Sequence, residues 1–126
     1  RKSDADIDAE FAAKRFMDIV RYKSGEDKTE DGNILADRHM DEALNSEFTA
    51  VKKGNQWVVD VVRPLKLGAA DNIDLALDST YNFGFAIHDD YTNGRFHHVS
   101  LGYKLGFDNP DVEINAVKQA PILVSK

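Results

Sequence analysis

The chain has 126 residues, 42% hydrophobic and 30% charged, the profile of one ordinary globular domain rather than a collagen-like or disordered chain. Its 16 Lys+Arg against 22 Asp+Glu give a net charge of −6. An acidic chain without a basic cluster lacks the field that phosphate backbones require, and no run of about 18 apolar residues is present to form a membrane-spanning helix.

The first residues, RKSDADIDAE, are charged, lack an initiating Met and lack the apolar core of a signal peptide, so a mature product or an excised domain is expected. Over 1–15, Ile7, Phe11 and Phe16 mark a weak apolar stripe, predicting a short helix or, equally, an extended arm. A single domain is expected over 16–126. Residues 16–23 (FMDIVRYK) predict a first strand with Phe16, Asp18, Val20 and Tyr22 on one face and Met17, Ile19, Arg21 and Lys23 on the other. Residues 24–33 predict a polar loop punctuated by Gly25 and Gly32. Residues 34–48 mix helix formers with Asp and Asn and leave the element type open. FTAVKK, Gly54-Asn55 and QWVVDVV predict a hairpin that Pro64 ends near Arg63.

Residues 66–80 are turn-rich. Residues 81–90 predict a strand with Tyr81, Phe83, Phe85 and Ile87 on one face, and Gly84 marks a place for close approach. Asn93-Gly94 is a hairpin turn signal, and 95–107 reads as the return strand. Residues 109–126 give short strand-like runs and a frayed tail. The pattern predicts a mainly β fold, an antiparallel β-sandwich with one or two short helices and a core of ordinary size. It contains no βαβ alternation, phosphate loop or internal repeat.

The four histidines are the residues most able to carry chemistry. His88 precedes Asp89 and Asp90, and the hairpin brings it near His97 and His98. Imidazole with carboxylate suits zinc or non-haem iron, but no HxH or HExxH spacing exists and adjacent strand residues face opposite ways. A hydrolase built on His, Asp and Ser100 lacks a G-x-S-x-G elbow. A third reading is haem ligation by imidazole and thioether, for which Met17 and Met40 are the available methionines and His39 adjoins Met40. The bland alternative makes each His a polar strand residue and each Met a gap-filler. The absence of cysteine excludes disulfides, thiolate zinc sites and covalent c-type attachment within the chain, and agrees with non-covalent haem b.

The segments FMDIVRYKSGE, ADRHM, QWVVDVVRPL and FGFAIHDDYTNGRFHHVSLGY resemble the haem-binding domain of the ethylbenzene dehydrogenase gamma-subunit family. That family includes the haem b subunit of dimethylsulfide dehydrogenase and domains fused to multihaem c-type cytochromes. The resemblance covers about residues 16–110, and its most specific blocks run from Trp57 to Leu65 and from Phe85 to Asp89. It implies a β-sandwich holding one haem b between a Met and a Lys or His. The position matching the family's Lys is His97, with His98 in reserve. Met17 is the nearest Met to the matching Asp18 strand, although both family Trp are replaced there and the spacing is shorter, so Met40 and His39 stay as candidates. His88 replaces a family Trp and is expected to pack near the haem.

Two strong axial ligands leave no open iron position, which favours outer-sphere electron transfer over substrate binding, hence no enzyme. Arg21, Arg38, Arg63 and Arg95 are the candidate propionate partners. The resemblance implies a periplasmic location and a redox protein or c-type cytochrome domain as partner, with exposed acids meeting a basic surface. No nucleic acid and no membrane insertion are expected. The alternative is a carbohydrate-binding-like sandwich without cofactor, with Trp57, Tyr81, Tyr91 and Tyr103 as stacking aromatics.

Overall fold

The computed structural model describes residues 2–42, 46–88 and 97–121, with backbone alone at 42 and 97. Contacts gather the chain into two compact units, 1–75 and 76–126, which are taken in turn.

In the first unit, α1 (Asp4–Ala12) begins with a capping box: Ser3 Oγ accepts from the Asp6 amide, and the Asp6 carboxylate accepts from the Ser3 amide. It ends when the Lys14 amide donates to the Phe11 carbonyl and the Arg15 amide to that of Glu10. This closing motif usually places glycine at its left-handed residue; here Lys14 stands there, at φ 62°. Its ammonium donates to the carbonyls of Ala69, Ala70 and Asn72 at 2.6, 2.8 and 2.8 Å. Phe11 stacks on Phe16 at 4.8 Å, and Phe16, 8% exposed, is the one buried hydrophobic side chain among the described residues. The core is smaller than composition suggested.

Strands β1 (Met17–Lys23), β2 (Lys28–Ile34) and β3 (Arg38–Glu42) form an antiparallel sheet in that order. The expected loop over 24–33 is corrected: only 24–27 turn, and the strand resumes at Lys28. The polar β2 is held by partners instead of apolar burial. Glu30 faces Arg21 across the ladder, and Tyr22 Oη donates to Asp27 at 2.6 Å beside the turn. Residues 38–42, whose element type was open, are a strand because β2 supplies an edge to pair with.

β4 (Glu47–Lys53) and β5 (Gln56–Val62) form the expected hairpin. Gly54 takes φ +60° at the first turn position, where a side chain would be strained. Phe48 stacks on Tyr22 of β1 at 4.8 Å.

The second unit holds β6 (Tyr81–Phe83), β7 (Ala86–His88), β8 (His97–Val99), β9 (Tyr103–Phe107) and β10 (Ile114–Ala116). The continuous strand expected over 81–90 is corrected to two over its described residues, 81–88. β6 joins β9, whereas β7 joins β8. The return strand breaks in the same way after Val99. The reason is local: the Phe85 amide donates to Ser100 Oγ at 2.9 Å and the Ser100 amide to the Phe85 carbonyl at 2.8 Å, which closes the β7–β8 ribbon. β10 runs parallel to β9, a departure from a purely antiparallel pattern. The Asn93-Gly94 turn lies outside the described residues, while its flanks pair antiparallel.

Candidate functional site

One face of the first sheet is built row by row from its register. Met17 lies opposite Ile34, which lies opposite Arg38; Ile19, Gly32 and Met40 form the next row; Arg21, Glu30 and Glu42 the third; Lys23 and Lys28 the last. Both candidate methionines therefore share a face. They differ in freedom. Met17 is 62% exposed, so its thioether is available. Met40 is half-buried, its sulfur lying where a Cβ on Gly32 would stand. The missing side chain of Gly32 is what lets Met40 lie flat. His39 pairs with Asn33 on the opposite face, so it does not share a face with either methionine.

The polar end of the face is organised by Glu30, whose side chain is 7% exposed. Arg21 Nη2 donates to one carboxylate oxygen, and Lys23 and Lys28 lie 3.2 and 3.8 Å from the other. The Arg21 bond first, and then Lys23, holds the Glu30 carboxyl below the usual glutamate range. The signal for this hub was in the sequence: a turn over 24–27 sets R-Y-K against K-T-E. Reading 24–33 as loop hid it.

On the other face, Asp18 Oδ2 accepts from Arg63 Nη2 at 2.9 Å and from the Ile73 amide at 2.9 Å. Arg63 also donates to the Ile73 carbonyl. Burial, then the charge of Asp18, pushes the Asp31 carboxyl up. Of the expected propionate partners, Arg63 is thus committed to structure. Arg21 stands at the Glu30 hub, Arg38 is exposed at the sheet end, and Arg95 lies outside the described residues.

In the second unit the ladder sets His97 directly opposite His88, and His98 opposite Ile87. Phe85, Ile87, Val99 and Leu101 around this ribbon are exposed. His88 and His98 are exposed on the same ribbon; Asp89 and Asp90 lie outside the described residues. Among the described residues no group of three His, Asp or Glu side chains forms a cation site. Of the stacking candidates, Trp57 is 54% exposed on β5, Tyr81 Oη accepts from the Ala76 amide and Tyr103 stacks on Phe85. Tyr91 is outside the described residues.

No protein-family model matches the chain, and no solved structure matches it. Its likeness among curated proteins is to cytochromes, a class of electron carriers rather than of enzymes. The chain is 41% identical over 114 residues to cytochrome c-552 of Stutzerimonas stutzeri, a match over 89% of this chain and 38% of that protein. It is 51% identical over 68 residues to cytochrome c-551 of Rhodocyclus tenuis, 54% of this chain and 26% of that protein. The chain spans well under half the length of these relatives.

These names correct the expected cofactor. Both relatives are c-type by name, the class that holds haem through cysteine thioethers, so non-covalent haem b does not stand. The chain has no cysteine, so covalent attachment does not occur within these 126 residues. Among the described residues no helix is long and apolar enough to cross a membrane.

Proposed function

We propose that these residues form the part of a c-type cytochrome that meets the haem without anchoring it, and that the protein carries electrons. The observation that carries this reading is the 41% identity to cytochrome c-552 over 114 residues. The donor set fits: an exposed thioether at Met17 stands among Ile19, Ile34 and Met40, with cationic side chains further along the same face. When bound, the haem supplies one-electron chemistry at its iron. A c-type attachment motif brings its own histidine, so Met–His ligation asks only a thioether of this chain. We assign that role to Met17, with Met40 in reserve. His97, with His98 in reserve, is the alternative donor.

The β-sandwich, the kinship with the ethylbenzene dehydrogenase gamma-subunit family and the periplasmic location belong to the same proposal. The blocks that carry the kinship include Asp18 and Arg63, which meet in the fold. A basic redox partner suits the net charge of −6.

The test titrates ferric haem peptide, haem c still carrying its attachment histidine, with the chain. The expected result is conversion from high to low spin, with the weak red charge-transfer band of an iron–thioether bond. Met17→Leu abolishes that band. Low-spin conversion without that band, abolished in His97→Ala and kept in Met17→Leu, would move the ligand to the β7–β8 ribbon. An unchanged spectrum at excess chain overturns the haem reading and brings forward sugar binding at Trp57.

A further inference from the structure

We infer that Arg21, Lys23 and Lys28 form a carboxylate-binding subsite that receives the haem propionates, an inference that deepens the haem-module reading and rests on it. The ladder sets Lys23 directly against Lys28, a repulsive pairing in a sheet. One oxygen of Glu30 serves both ammonium groups, at 3.2 and 3.8 Å, while Arg21 takes the other oxygen. Three cations thus stand in the rows of two glutamates, Glu30 and its register partner Glu42, which leaves one positive charge in excess in an acidic chain. Glu30 is enclosed, but the Lys23 and Lys28 side chains are 24% and 43% exposed, open to a further anion.

Position completes the argument. The cluster shares its face with Met17, Ile19, Ile34 and Met40. At about 3.3 Å per residue, Arg21 stands about 7 Å and the lysine pair about 13 Å along the strands from the Ile19–Gly32–Met40 row. The face is therefore apolar with a thioether over Met17, Ile19, Ile34 and Met40, with Arg38 at its margin, and cationic at the Lys23–Lys28 end. Haem has the complementary pattern, an apolar ring with both carboxylates on one edge. Arg63 is not a competitor, since Asp18 and Ile73 hold it.

The experiment compares haem peptide with free propionates and the same peptide with both propionates esterified. Each is titrated spectroscopically into the wild-type chain, Lys23→Gln/Lys28→Gln and Lys23→Arg/Lys28→Arg. The glutamine pair leaves the Arg21–Glu30 bond in place, so no buried carboxylate is orphaned. The expected outcome is a loss of about tenfold in affinity for the diacid alone, as fits two partly exposed ion pairs, with the diester unchanged and the arginine pair near wild type. An equal diacid-to-diester ratio in wild type and the glutamine pair overturns the subsite while leaving the haem module standing. Failure of both peptides to form a low-spin complex overturns the haem module, and the subsite with it.

Discussion

Asp18 and Arg63 lie 45 residues apart in the chain and meet at 2.9 Å, where the Asp18 side chain is 12% exposed. Removing one partner of such a pair strands the other with little water to replace it. Arg63→Met is expected to destabilise the chain by about 2–3 kcal/mol, read by urea unfolding; a loss below a few tenths would show the pair to be dispensable. Two neighbouring carboxyls respond to pH in opposite directions. Glu30 is held low by Arg21, so its contribution is full above the ordinary glutamate pKa and fades as pH falls through the lowered one. Asp31 is pushed up by burial and by Asp18, so the folded state binds its proton more readily and gains stability as pH falls through the raised value. Asp31→Asn should therefore raise the melting temperature at neutral pH, and Glu30→Gln should lower it. Both differences should shrink toward acid pH. Melting curves across pH that moved in the same direction for both variants would contradict this account.

At the scale of elements, Gly32 decides how β2 and β3 pack. A Cβ there would meet the Met40 sulfur and the His39 carbonyl oxygen. Gly32→Ala should cost about 2–3 kcal/mol, and Met40→Ala should relieve only part of it, because the carbonyl stays. A double-mutant cycle in denaturant measures this, and full relief would show the clash to be with sulfur alone.

The hairpin β4–β5 was legible because the runs FTAVKK and QWVVDVV flank a glycine turn, and β1 because β-branched and aromatic residues recur along it. β2 was not legible, since its residues carry charge and are stabilised by partners on another strand that a local pattern does not display. The break between β6 and β7 was hidden for a related reason. Gly84 permits it, but the Phe85–Ser100 bonds that fix it span 15 residues. At the site, the face of Met17 was legible from alternation, whereas Met40 lies in the stretch whose element type was open. The Glu30 hub was not, because it needed the register first.

For the whole molecule, apolar exposure is the leading fact. Trp57, Val58, Val59, Val61 and Val62 are exposed along β5, and Phe85, Ile87, Val99 and Leu101 around β7 and β8. A ribbon with exposed apolar side chains and unpaired backbone invites association. The chain alone should bind an environment-sensitive hydrophobic dye and sediment faster as concentration rises. Val59→Lys should reduce both effects; sedimentation independent of concentration in wild type would sink this expectation. The net charge of −6 acts against aggregation, so added salt should strengthen self-association by screening it.

The three carbonyls around the Lys14 ammonium also make that amine a chemical reporter. An acylating reagent must reach the amine nitrogen, and three carbonyls at 2.6–2.8 Å occupy its hydrogens and hold it against the loop. Lys14 should thus be among the last lysines to acquire a label. The time at which it does so in a mass spectrum would mark when the loop at 69–72 lets go of the helix end.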